Sequence, residues 1–109
     1  MSKYCKKITK HQTSCRIWFL NPEERCHNLN GPAGIIFFDQ TLIRIKEIRY
    51  YIDGLLHRNE EDGPAIIRFD INGNVKQEVY YFKGKEYRRC GPSYIEYKDN
   101  SICYMEWRH

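Results

Sequence analysis

Apolar residues in this chain alternate with polar ones over short runs, and turn-forming residues separate the runs. Alternation with period two marks strands, whose side chains point to opposite faces in turn. The clearest unit is the stretch from Tyr50 to Phe82. It reads Tyr50-Tyr51-Ile52, the turn pair Asp53-Gly54, Leu55-Leu56-His57-Arg58, an acidic spacer, Gly63-Pro64-Ala65, an alternating run to Phe69, a second turn pair Asn72-Gly73, and a second aromatic pair Tyr80-Tyr81. Asp-Gly and Asn-Gly predict type I′ hairpin turns, because Gly and Asn tolerate the positive φ that both central positions need.

The same unit recurs. Gly31-Pro32-Ala33, Gly63-Pro64-Ala65 and Gly91-Pro92-Ser93 lie 32 and 28 residues apart, a spacing that predicts a repeat array with copies near 17–47, 48–78 and 79–107. The aromatic pairs Trp18-Phe19, Tyr50-Tyr51 and Tyr80-Tyr81 keep the same beat, and Trp107 opens a fourth. After each Gly-Pro step, Ala33, Ile35 and Phe37 correspond to Ala65, Ile67 and Phe69 and to Ser93, Ile95 and Tyr97. These nine positions share one strand face and are the expected core. In the first copy Asn21-Pro22-Glu23-Glu24 replaces the Asp-Gly turn, as drifted terminal repeats allow.

One long strand is expected over Leu42 to Ile52. Its apolar parity shifts from Ile43 and Ile45 to Ile48, Tyr50 and Ile52, which predicts a β-bulge at Lys46 or Glu47. Further strands are expected from Val75 to Phe82, with a turn at Lys83-Gly84, and from Ile102 to Trp107 after a turn at Lys98 to Ser101. No window of a dozen residues carries a 3.6-residue apolar stripe, and Glu23 to Leu29 and Lys85 to Arg89 offer a single helical turn at most. The fold class is therefore all-β: an antiparallel meander of about three β-hairpin repeats, as a single twisted sheet or a partly open barrel.

Charge divides the chain. The net +4 is concentrated in residues 1–20, where Lys3, Lys6, Lys7, Lys10 and Arg16 face no acid, while the remainder sums to −1. Residues 1–12 are read as a basic N-terminal arm, either a frayed tail or a weak first strand, and 13–109 as the repeat domain. No apolar run approaches bilayer-spanning length and no signal-peptide core is present, so a soluble cytoplasmic protein without membrane contact is expected. Five Cys without CxxC spacing are expected to be reduced thiols. His11, Cys15, Cys26 and His27 are the conceivable zinc set, but adjacent Cys26 and His27 compete sterically and the paired loops of a zinc finger are absent. No metal or cofactor is implied.

The pattern Tyr-Tyr-x-Asp-Gly-x-x-His-Arg, followed by an acidic spacer and Asp62-Gly63-Pro64-Ala65, resembles MORN-like repeats in the variant found in bacterial, phage and large-DNA-virus proteins. The resemblance is closest over Tyr50 to Ala65 and extends over roughly residues 17–107. The third copy has Tyr87-Arg88 for His-Arg and Cys90 before its Gly-Pro, and the stricter Tyr-x-Gly spacing of MORN repeats is not met. The resemblance implies a β-hairpin scaffold used for interaction, with no reaction attached, and a phage- or virus-encoded inhibitor of a host factor as one such use.

Three functions follow as expectations. The first is a non-catalytic protein–protein interaction module in the host cytoplasm with Tyr51, Arg58, Arg68, Tyr81 and Arg88 as anchors, since aromatics and Arg dominate interfaces. A homodimer through the flat sheet is compatible with it. The second is nucleic-acid binding through Lys3, Lys6, Lys7, Lys10 and Arg16 with Tyr stacking on the sheet; the near-neutral body lacks the basic stripe this needs. The third is a small enzyme acting through the His57-Arg58 loop. A repeated cluster of consecutive loop residues is better explained as a structural turn, or as Arg lying over Tyr50 and Tyr80.

Overall fold

The computed structural model describes residues 5–10 and 15–108, with backbone alone for Cys5, Lys6, Lys7 and Lys10. Twelve strands follow in chain order: β1 (Cys5–Lys10), β2 (Cys15–Leu20), β3 (Gly34–Phe37), β4 (Ile45–Arg49), β5 (Tyr51–Ile52), β6 (Leu55–Leu56), β7 (Ile66–Phe69), β8 (Val75–Val79), β9 (Tyr81–Phe82), β10 (Lys85–Glu86), β11 (Tyr94–Lys98) and β12 (Ser101–Glu106). Eight of them form one open antiparallel sheet in the order β1-β2-β3-β4-β7-β8-β11-β12. The pairs β5/β6 and β9/β10 are separate two-stranded ladders at one end of it. The molecule's long dimension of 40 Å is about eight strand spacings. No helix among the described residues is long and apolar enough to cross a membrane.

Each copy therefore makes a long hairpin in the main sheet; the second and third add a short one beside it, and the first has a single bridge there, Leu20 to Cys26. The short hairpins turn at Asp53-Gly54 and Lys83-Gly84, where both residues have positive φ, as type I′ requires. Asn72-Gly73 departs from expectation. Only Gly73 has positive φ, at 89°. Asp70 Oδ1 accepts the Asn72 and Asn74 amides, at 2.9 and 3.0 Å, and holds a wider five-residue loop instead.

The single strand expected over Leu42 to Ile52 is two. Leu42 sits in a loop at φ 62°, and the chain breaks at Tyr50, whose amide donates to Ala65 O (2.8 Å) while its carbonyl accepts the His57 amide (3.0 Å). Those two bonds direct Tyr51 out of the main sheet. The expected bulge is at Lys46, which is skipped as Ile36 pairs Glu47 and Phe37 pairs Ile45. It recurs at Lys76 in β8 and at Cys103 in β12, so the long hairpin after each Gly-Pro step carries one, whereas β1/β2 is regular.

Hydrogen bonds also correct the alignment of the first copy. Phe19, Tyr50 and Tyr80 donate to Ala33, Ala65 and Ser93 carbonyls respectively, each at 2.8 Å. The partner of Tyr50-Tyr51 is thus Phe19-Leu20, not Trp18-Phe19. The small residues of these pairs, Ala33, Ala65 and Ser93, are all fully buried. In the same columns Phe37 and Ile95 are buried, whereas Ile35, Ile67, Phe69 and Tyr97 are half-buried.

The core is not confined to that face. Ile36, Ile66 and Val79 on the opposite face are buried too. Trp18 lies across Gly34 there, with ring carbons 2.6 and 2.9 Å from where a Cβ would stand, and covers the strands around it. Cys5–Lys10 pairs along the whole of β2, from Cys5 opposite Leu20 to Lys10 opposite Cys15. Over those residues the arm is an edge strand of the sheet.

Candidate functional site

The motif His57-Arg58 is a joint between copies. His57 Nδ1 accepts the Lys83 amide at 3.0 Å, and His27 Nδ1 accepts the Asp53 amide at 2.7 Å. In both cases the donor is the first turn residue of the next copy. The flanking backbone repeats the pattern: Leu56 O accepts the Gly84 amide and Cys26 O the Gly54 amide, both at 2.8 Å. Glu60 adds a third tie, its carboxylate accepting the Arg89 and Cys90 amides at 3.0 and 3.1 Å.

The arginine beside the histidine braces the joint from within its own copy. Arg58 lies 3.9 Å above the centre of the Tyr50 ring and donates to Pro64 O at 3.1 Å. Arg88 repeats this on Tyr80 at 4.0 Å and on Pro92 O at 3.2 Å. Asn28 supplies only the hydrogen bond, to Pro32 O at 3.0 Å. The Gly of the Gly-Pro step makes room for the arginine. A Cβ at Gly63 would stand 2.8 Å from Arg58 Nη1, and one at Gly91 would stand 3.0 Å from Arg88.

Replacing His57 by Ala removes the Lys83 amide's acceptor and the ring contact with Phe82, whose centroid is 4.6 Å away. The expected result is a loss of about 1–2 kcal/mol and an earlier thermal transition. An unchanged melting temperature would contradict the structural role.

Between successive loops the surface is grooved. A cleft of about 720 Å³ lies between Asn28–Pro32 and His57–Asp62, with Tyr50 and Ile52 in its wall. A smaller one of about 280 Å³ lies between Arg58–Glu61 and Phe82, Tyr87 and Arg89. His57 lines the first of these, with its Nδ1 committed to the Lys83 amide.

The five anchors expected from the sequence fall into two places. Arg58 and Arg88 sit in successive joints, with Tyr51 and Tyr81 half-buried beside them. The Tyr51 hydroxyl accepts from Arg49 at 3.2 Å, and the Tyr81 carbonyl accepts the Arg58 amide at 3.2 Å. Arg68 lies in a polar ladder that crosses the sheet, which Tyr51 joins through Arg49 and Glu47. It donates to Glu47 at 2.6 Å and to Gln77 at 2.8 Å, and Gln77 donates to Tyr94 at 3.0 Å. Glu47 also accepts from Arg49. Burial alone would raise the Glu47 carboxyl, but Arg68 and Arg49 outweigh it and hold the group below the usual carboxylate range.

Of the basic residues expected to hold nucleic acid, Lys3 lies outside the described residues. Lys6, Lys7 and Lys10 are in β1, and Arg16 is in β2 with its Nε buried and without a hydrogen-bond partner. His11 of the conceivable zinc set also lies outside the described residues; Cys15 is buried and Cys26 half-buried. Among the described residues no three His, Cys, Asp or Glu side chains gather as a metal site would require.

Sequence reasoning missed the C-terminal edge. Ile102, Tyr104, Met105 and Trp107 are all exposed, between 45% and 57%, in and beside β12. Among the described residues β12 has a neighbour on one side only. The sequence of β1, at the opposite edge, contains three lysines, of the kind that discourages strand pairing, and none stands between Ser101 and Met105. The signal was available as an unbroken apolar run, Ile102-Cys103-Tyr104-Met105, without a charge or a Pro. Comparison with family models, with curated proteins and with solved structures gives no match to this chain.

Proposed function

We propose that this protein is a non-catalytic interaction module that receives an extended segment of a protein partner along β12. The observation that carries this is the contrast between the two edges of one open sheet: β1 bears three lysines, and β12 bears four exposed apolar side chains in and beside it. Strand addition draws affinity from main-chain hydrogen bonds and specificity from alternate side chains. The bulge at Cys103 puts Ile102 and Met105 on one face, opposite Tyr97 and Ile95, and Tyr104 on the other, opposite Glu96. A partner strand with apolar residues on one face and a hydrogen-bonding or aromatic residue on the other suits that arrangement.

The array is read as MORN-like, and the support for this is that the His-Arg and Gly-Pro elements of the motif recur as one joint. The resemblance also carries the proposal that the partner is a host factor held by a phage- or virus-encoded inhibitor. The expected Tyr and Arg anchors then hold the scaffold, and β12 makes the contact.

The test compares the wild-type chain with a Tyr104→Lys/Met105→Lys variant, which gives β12 lysines like those in the sequence of β1. Both residues are exposed, and the variant gives up only the Tyr104 contacts with Glu106 and Tyr94, so it should remain folded with a loss of about 1 kcal/mol. A discrete protein captured from nuclease-treated cell extract, with capture reduced about tenfold or more in the variant, is expected. Equal capture by the variant, or capture lost on nuclease treatment, would overturn the proposal; the latter would move function to the lysines of β1.

A further inference from the structure

The recurrent bulge has a consequence independent of β12. In the first two long hairpins the bulged residue is lysine, Lys46 in β4 and Lys76 in β8, and these strands flank β7 on either side. Both lysines line one cleft of about 450 Å³, together with Phe38, Glu47, Arg68, Phe69, Asp70 and Ile71. Two strand spacings, about 10 Å, separate their backbones, a gap that two lysine side chains can close on a shared anion.

The charges in the cleft are not balanced against each other. Glu47 is paired with Arg49 and Arg68, while Asp70 keeps its charge, its Oδ1 accepting the neutral Asn72 and Asn74 amides; Lys46, Arg68 and Lys76 against Glu47 and Asp70 leave the lining net positive. Among the described residues neither Lys46 nor Lys76 has a carboxylate partner. Arg68 is fixed by Glu47 and Gln77, so its charge is held at the cleft without rotamer freedom. Phe38, Phe69 and Ile71 give the same cleft an apolar wall.

We infer that this cleft binds a phosphate monoester carried on a small planar apolar body, the dianion between the two ammonium groups and the body against the phenylalanines. A dianion matches two unpaired cations better than a carboxylate does, and a hydrophobic wall discriminates against free phosphate. The third hairpin has Cys103 at the bulge, so the site occurs once, between the first two copies.

Phenyl phosphate is the probe, titrated into the isotope-labelled chain and followed by amide chemical shifts. Binding with a dissociation constant of about 1 mM or tighter is expected, with shifts centred on Lys46, Phe69 and Lys76. Inorganic phosphate should bind about tenfold more weakly, and phenol should not bind. A Lys46→Ala/Lys76→Ala variant, which alters exposed side chains and should melt like the wild type, should lose about tenfold or more in affinity. Adenosine monophosphate and O-phosphotyrosine, titrated in parallel, distinguish a nucleotide source from a modified side chain. No shift at these residues, or shifts that the double variant leaves unchanged, would overturn the site; neither result bears on capture at β12.

Discussion

Substituting Gly63 with Ala should destabilise the chain by about 2–4 kcal/mol. Two costs coincide there. Gly63 has φ 127°, a conformation that L side chains rarely adopt, and the new Cβ would stand 2.8 Å from Arg58 Nη1. The guanidinium would have to leave either Tyr50 or Pro64 O, loosening the joint it closes. Two other glycines separate these contributions. Gly73→Ala keeps the positive φ, at 89°, but meets nothing within 4 Å, and should cost about 1 kcal/mol. Gly31→Ala meets only Asn28 Nδ2, at 3.7 Å and without positive φ, and should stay within about 0.5 kcal/mol. Urea unfolding of the three variants measures the series. Equal costs at Gly63 and Gly73 would show that the arginine and the glycine are not coupled.

Glu47→Ala should cost about 2–3 kcal/mol, because it leaves Arg49 and Arg68 without their shared acceptor on a largely buried site. The figure is below that of a fully buried pair because the two arginine side chains are 30% and 36% exposed. The same carboxylate makes stability depend on acid. Its pKa is lower in the folded chain than in the unfolded one, so its contribution is complete above the unfolded carboxylate value and is lost as pH falls through the folded one. Wild-type stability should therefore fall on acidification below the ordinary carboxylate range, and the fall should be shallower in Glu47→Ala. Glu61→Ala, an exposed control, should change neither stability nor its slope with pH beyond about 0.5 kcal/mol. Parallel acid profiles for wild type and Glu47→Ala would remove Glu47 from the ladder's energetics.

The local turn chemistry was legible in the sequence where it is enforced by two adjacent residues. Asp53-Gly54 and Lys83-Gly84 form the short hairpins, and Asp99-Asn100 turns within Lys98 to Ser101 with φ of 52° and 64°. The bulge at Lys46 was legible because isoleucines on both sides of it recorded the change of parity. Its counterparts were not. At Lys76 the row position facing Ile67 is Glu78, whose carboxylate is satisfied by the Tyr97 hydroxyl, so no apolar residue marks the shift. At Cys103 the neighbours on both sides are apolar, and either parity fits.

The joints were half legible. Spacing picked out His57-Arg58, and the stacking of Arg58 and Arg88 on Tyr50 and Tyr80 follows from the repeat. The donors that the histidines receive are backbone amides of the next copy, Asp53 and Lys83, and backbone partners leave no trace in residue identity. The break at Tyr50 escaped notice for the same reason, since two main-chain hydrogen bonds make it. Which strand ends the sheet is a property of the whole topology, so β12 emerged as the exposed edge only with the strand order known.

The most direct measurement is amide hydrogen exchange along the chain, free and bound to the captured partner. Protection gained at Ser101 to Glu106, with little change at Cys5 to Lys10 and in the loops around His57 and Arg88, is the expected result. Protection confined to β1 or to the joints, with β12 exchanging as in the free protein, would contradict strand addition at this edge.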